Sequence, residues 1–109
     1  MLVSHCHPDH YSDAEIYIEA MTRGMTRKLG NLIGPRSVLS GNDICGPCIS
    51  KYHRGMVART LELSPGDRVD CQDTSFVATR AEHSDPDTVG FRIKTRSQEI
   101  GYTSDTGYF

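Results

Sequence analysis

The chain has 109 residues, with 12 Lys+Arg against 14 Asp+Glu, five His, four Cys and no Trp. That is room for one compact domain and excludes a multidomain enzyme, while 37% hydrophobic residues is too many for a disordered segment. A net charge of −2 gives no global pull toward nucleic acid or acidic membrane; with no apolar run of membrane-span length and no signal-peptide pattern in MLVSHCHPDH, a cytoplasmic protein without membrane contact is expected.

Residues 1–4 read as the end of a strand. The chemistry follows at once in His5-Cys6-His7-Pro8-Asp9-His10, three imidazoles and a carboxylate within six residues. Neutral imidazole dominates near pH 7 and is a zinc ligand. On an extended chain His5 and His7 point one way and Cys6 the other. Asp9 and His10 come after a proline-enforced bend and can face a second position. Such a loop can serve two metal ions roughly 3.5–4 Å apart; the bland alternative is a polar, solvated turn.

Ser12 and Glu15 stand in the capping-box relation. Ala14, Tyr17, Ile18, Met21 and Met25 follow at helical spacing, which predicts a helix over 13–24. Arg23, Arg27, Lys28 and Arg36 then fall in a 14-residue window without an acid. That window reads as a solvated face or as a rim attracting an anionic phosphodiester.

Residues 37–39 form a short apolar piece ending in the turn-rich Ser40-Gly41-Asn42-Asp43. Cys45-Gly46-Pro47-Cys48 has the spacing of a redox dithiol, but no buried hydrophobic strand precedes it. It can also begin a structural zinc site with His53 or Cys71, or be two small residues in a loop. Cys6 is expected to pack inward, Cys71 to lie near a strand end and His53 to be hydrogen-bonded at the surface. Residues 49–54 are compatible with helix or strand. From there the pattern is β, with strands predicted over 56–63, 68–71, 76–81, 88–94 and 99–103. Ser64-Pro65-Gly66-Asp67, Asp85-Pro86-Asp87 and Arg96-Ser97-Gln98 serve as connectors. Short connectors imply antiparallel neighbours, and one helix followed by a meander gives an α+β class.

The His-x-His-x-Asp-His pattern between a short apolar strand and a helix resembles the signature of metallo-β-lactamase-fold hydrolases. A later His after a β-strand, His83 in 76–83, and the hairpin-end Ser104-Asp105-Thr106-Gly107 agree with it, as does the Pro-Gly-Asp turn at 65–67. The resemblance implies an αββα sandwich and a metal-dependent hydrolase using one or two Zn2+ ions. His5, His7 and His83 then correspond to ligands of the first ion, and Asp9 and His10 to ligands of the second. Asp105 corresponds to the bridging carboxylate, and Asp9 also orients the attacking hydroxide. Phosphodiesters, of small molecules or of nucleic acid, and (thio)esters are the substrate classes implied. Tyr11-Ser12-Asp13 stands where many relatives have a Gly-rich pair. Met1 lies four residues before His5 and the sequence ends four residues after Asp105. The expectation is therefore the central part, 1–109, of one such domain, truncated at both ends and completed by a homo-oligomer or a complementing chain. The competing expectation is a non-catalytic zinc-binding or interaction fragment.

Overall fold

A computed structural model describes residues 1–108. Residues 1–4 run beside β1 (Asn31–Gly34), with a parallel bridge from Leu2 to Ile33. Proline at the first helical position starts α1 (Pro8–Tyr11) directly after His7. The second helix, α2, covers Ala14–Met21. The expected capping box does not form. Ser12 continues from α1 in the right-handed helical region, so it lacks the extended conformation a cap requires. Glu15 reaches instead to His53, 2.7 Å from Nδ1. The helix also stops earlier than predicted: Arg23, Gly24 and Met25 all have positive φ, beyond a Thr22 whose hydroxyl donates back to the Ile18 carbonyl. Ala14 and Ile18 are buried and Met21 and Met25 pack beside them, whereas Tyr17 faces solvent.

β1 was not foreseen. It is followed by α3 (Arg36–Leu39), then by α4 (Lys51–Met56), which resolves the ambiguity at 49–54. Ser50 caps α4 by accepting from the His53 N–H. The strand predicted over 56–63 shrinks to β2 (Arg59–Glu62), and it pairs with β1 in parallel rather than antiparallel. The long crossover through α3 and α4 permits that direction, which a hairpin forbids.

The rest follows the predicted meander. β3 (Arg68–Cys71), β4 (Thr74–Arg80), β5 (Val89–Lys94) and β6 (Glu99–Tyr102) form an antiparallel sheet in chain order. The Ser64–Asp67 turn forms as expected, with Gly66 at φ +95 and the Asp67 carboxylate accepting from the Ser64 N–H.

Two apolar clusters define the layers. Ala14 and Ile18 of α2 meet Leu32, Val38 and Ile49 on one side of β1. Ile33, pointing oppositely, joins Leu63, Ala78, Val89 and Phe91 between the two sheets. β1 is thus buried on both faces, and the order is helices, small parallel sheet, antiparallel sheet. The class is α+β, mostly antiparallel after an N-terminal helix. Among the described residues no helix is long and apolar enough to cross a membrane.

Candidate metal centre

Four segments converge at one end of the two sheets. His5 and His7 lie where the first strand-like segment runs into α1, and His10 is in the last turn of α1. His83 lies in the loop from β4 to β5, and Asp105 lies just beyond β6. The rings of His5 and His7 are 4.7 Å apart, those of His5 and His10 4.3 Å, and those of His7 and His83 4.8 Å. His83 Nε2 stands 3.0 Å from His7 Nδ1. Asp105 Oδ2 lies 3.2 Å from His10 Nε2, 3.7 Å from His83 Nε2 and 3.9 Å from His5 Nε2.

His5 is the buried centre of this group, with no exposed surface. Its Nδ1 is 2.9 Å from the Ser4 hydroxyl and 3.3 Å from that of Ser104. In the tautomer whose Nδ1–H donates to Ser4, Nε2 carries a lone pair. That Nε2 is buried and has no hydrogen-bond partner among the described residues. Burial, reinforced by the neighbouring His10, His7 and His83 and only partly opposed by Asp105, pushes its pKa down from 6.5 to about 4. His5 is therefore neutral at pH 7, the state in which imidazole binds metal.

Among the described residues, two groups of donor atoms are close enough to hold an ion: His5, His7 and His83, and His5, His10 and Asp105. The first is the set of three imidazoles implied by the sequence motif. The second has His10 and Asp105 as implied, with His5 completing it. Asp9 stays outside both groups; its carboxylate is well exposed and 3.4 Å from His10 Nε2. Nitrogen and carboxylate donors around an orphaned buried imidazole nitrogen fit a divalent transition metal.

Asp85 escaped sequence reading, where it is part of a connector. It is 1% exposed, and its two oxygens accept from Cys6 N–H (3.0 Å), Ser37 Oγ (2.5 Å), Asn42 Nδ2 (3.3 Å) and Asp87 N–H (3.0 Å). Burial opposes ionisation, yet these hydrogen bonds outweigh it and hold the carboxyl below its ordinary 3.8. Nothing in the local sequence distinguishes it from turn-forming Asp87.

The dithiol reading fails on local structure. No helix opens at Cys45; α4 starts three residues beyond Cys48, so no helix N-terminus favours a thiolate. Burial, with Asp85 and Cys6 nearby, pushes Cys45 up to about 11, and burial with Cys6 pushes Cys48 higher still. Neither cysteine joins a metal-binding group among the described residues. His53 is engaged by Ser50, Glu15 and Glu19, and Cys71 ends β3 beside Asn31 and Arg59. Cys6 is buried as expected. In the basic window Arg36 pairs with Asp87 at 3.7 Å, and Arg23, Arg27 and Lys28 are exposed.

Comparison with known proteins agrees with this fold. The chain is 45% identical over 108 residues to uncharacterised protein MJ1374 of Methanocaldococcus jannaschii, covering 99% of this chain and 41% of that protein. It superimposes on the metallo-beta-lactamase fold protein YhfI from Bacillus subtilis with a TM-score of 0.69 at 18% identity, covering 99% of this chain and 41% of that one. It also superimposes on CmlA, a diiron beta-hydroxylase from Streptomyces venezuelae, with a TM-score of 0.67 at 15% identity, covering 96% and 20%. The chain thus spans about 41% of the length of the sequence relative it matches. The beta-lactamase superfamily domain matches residues 1–109 in full, and the chain belongs to that superfamily, with the metallo-beta-lactamase fold.

Proposed function

We propose that this chain is the central, metal-binding part of a zinc-dependent hydrolase that cleaves a phosphodiester or a (thio)ester. The observation that carries the reading is the buried, unpartnered Nε2 of His5 beside His7, His83, His10 and Asp105. His5, His7 and His83 would hold one zinc ion, and His10 and Asp105, with Asp9 beside them, a second. Zinc held there supplies Lewis acidity and makes hydroxide available at neutral pH.

The remaining roles belong to the chain itself. The hydroxyls of Ser4 and Ser104 hold His5 by its Nδ1, which leaves Nε2 directed into the centre. Tyr102 Oη, 3.5 Å from His10 Nδ1, steadies that ring in the same way. Asp9, exposed and next to His10, orients the attacking water and takes its proton. The basic residues at 23, 27 and 28 lead into β1 at the end where Met1 meets Asn31, away from His5, so the choice of substrate class rests on the family resemblance.

Hydrolysis of bis(p-nitrophenyl) phosphate tests the proposal. Turnover should vanish on chelation, return with zinc, and be lost in Asp9→Asn while the ion held by His5, His7 and His83 is retained. Turnover that survives chelation, or is unchanged in Asp9→Asn, contradicts it. A second reading, a non-catalytic zinc-binding fragment of such a domain, is favoured by the position of the Asp9 carboxylate outside both donor groups. One bound zinc ion without turnover would select that reading.

A further inference from the structure

We infer that Asp85 is a positioning residue for the metal centre. Its carboxylate ties the backbone between His5 and His7 to the loop that carries His83, and so sets the spacing at which the three imidazoles meet. The inference rests on the metal-binding reading above.

Three observations carry it. The first is the place of the contact. Asp85 Oδ2 accepts from the N–H of Cys6, the residue between the two histidines, across 79 positions of sequence. Asp85 itself stands two residues after His83. The second is how the rest of its loop is fixed. Its own carbonyl accepts from both the N–H and the hydroxyl of Thr88, and Val89 N–H donates to the Ser4 carbonyl. The loop that follows His83 is therefore joined to the residues on both sides of His5, Ser4 and Cys6. The third is the chemistry of the group. Asp85 is essentially inaccessible, and no ion pair reaches it among the described residues. Four donors from four places in the chain satisfy it instead: Cys6, Ser37, Asn42 and Asp87. Only an ionised carboxylate offers acceptors on both arms with no donor of its own. An amide in its place would turn an N–H against one pair of these donors, and an unmade buried hydrogen bond displaces the groups that made it.

A role confined to closing the loop predicts a loss of stability alone. A positioning role predicts in addition a change in how metal is held, since partners that orient ligands typically alter affinity by about 10- to 100-fold. The test is titration of the full chain with Co(II), following affinity and the visible ligand-field spectrum, beside thermal denaturation of the metal-free form. Asp85→Asn should bind Co(II) about 10- to 100-fold more weakly, with altered band positions. Ser37→Ala, which leaves the link to Cys6 intact, should lower the denaturation midpoint while keeping the wild-type spectrum and affinity. If Asp85→Asn lacks folded circular dichroism, Asp85→Glu is read in the same way, because it retains charge and acceptors but displaces them by a methylene. Wild-type affinity and spectrum in the folded Asp85 variant overturn the inference. So does a Ser37→Ala chain whose Co(II) binding falls as far as that of Asp85→Asn. A wild-type chain that takes up no Co(II) refutes the metal centre as well, an outcome distinct from equal binding by wild type and variant.

Discussion

Gly90 offers a direct test of how β5 and β6 deliver Asp105 to the histidines. A Cβ placed on Gly90 would stand 2.6 Å from Thr79 Oγ1, 2.6 Å from the Tyr102 carbonyl oxygen and 3.2 Å from that of Thr103. The Thr79 hydroxyl can rotate away. The two carbonyls lie at the end of β6 and just beyond it, and they can yield only if the strand end moves. Overpacking of this kind costs about 1–3 kcal/mol, which in a domain of about 100 residues lowers the thermal midpoint by roughly 5–20 °C. The same displacement moves Ser104 and Asp105, which follow directly, away from His5. Gly90→Ala should therefore melt lower by circular dichroism and also bind zinc more weakly. Gly101→Ala is the control, since nothing lies within 4 Å of a Cβ there. It should stay within about 0.5 kcal/mol of wild type. A Gly90→Ala chain that melts within a degree or two of wild type, or no lower than Gly101→Ala, would refute the close approach of β6.

The pH dependence of metal-free stability follows from His5. Its folded pKa of about 4 lies below the ordinary 6.5, so between these values the unfolded chain binds a proton that the folded chain refuses. The stabilising contribution is complete above pH 6.5 and is lost as pH falls toward 4. Urea denaturation should show this slope, and His5→Gln should flatten it; an equal slope in the variant contradicts the assignment. The cysteines give a second expectation. With Cys45 pushed up to about 11 and Cys48 beyond it, both thiols are protonated at neutral pH and should alkylate slowly in the folded chain. Rapid iodoacetamide labelling at pH 7, matching that of the denatured chain, would contradict the upward shift of these thiols.

The sequence was legible where local pattern and tertiary demand coincide. His5, His7 and His10 lie together because the strand end and Pro8 leave their short spacing little freedom, whereas His83 and Asp105, far away in sequence, were legible only through the family resemblance. Strand β5 was readable because Val89, Phe91 and Ile93 alternate onto one, more buried face. Four-residue β1 was not, since Asn31–Gly34 sits between glycine turns and both its central residues are buried, leaving no alternation to read. The capping box at Ser12 was locally sound and lost to Pro8, which starts a separate helical turn four residues earlier. Asp9 has the spacing of a ligand, yet its carboxylate stays in solvent. Asp85 was hidden for the opposite reason: its partners lie 43 to 79 positions away at Cys6, Ser37 and Asn42, and only the closed fold brings them to it.

The central claim is that the imidazoles of His5, His7 and His83 together hold a metal ion. The most direct measurement is zinc stoichiometry by elemental analysis after dialysis, for the wild-type chain beside the His7→Ala/His83→Ala double variant. One or two zinc ions per chain are expected in the wild type, and one fewer in the variant. A folded double variant that retains as much zinc as the wild type, or a folded wild-type chain that retains none, would contradict this assignment.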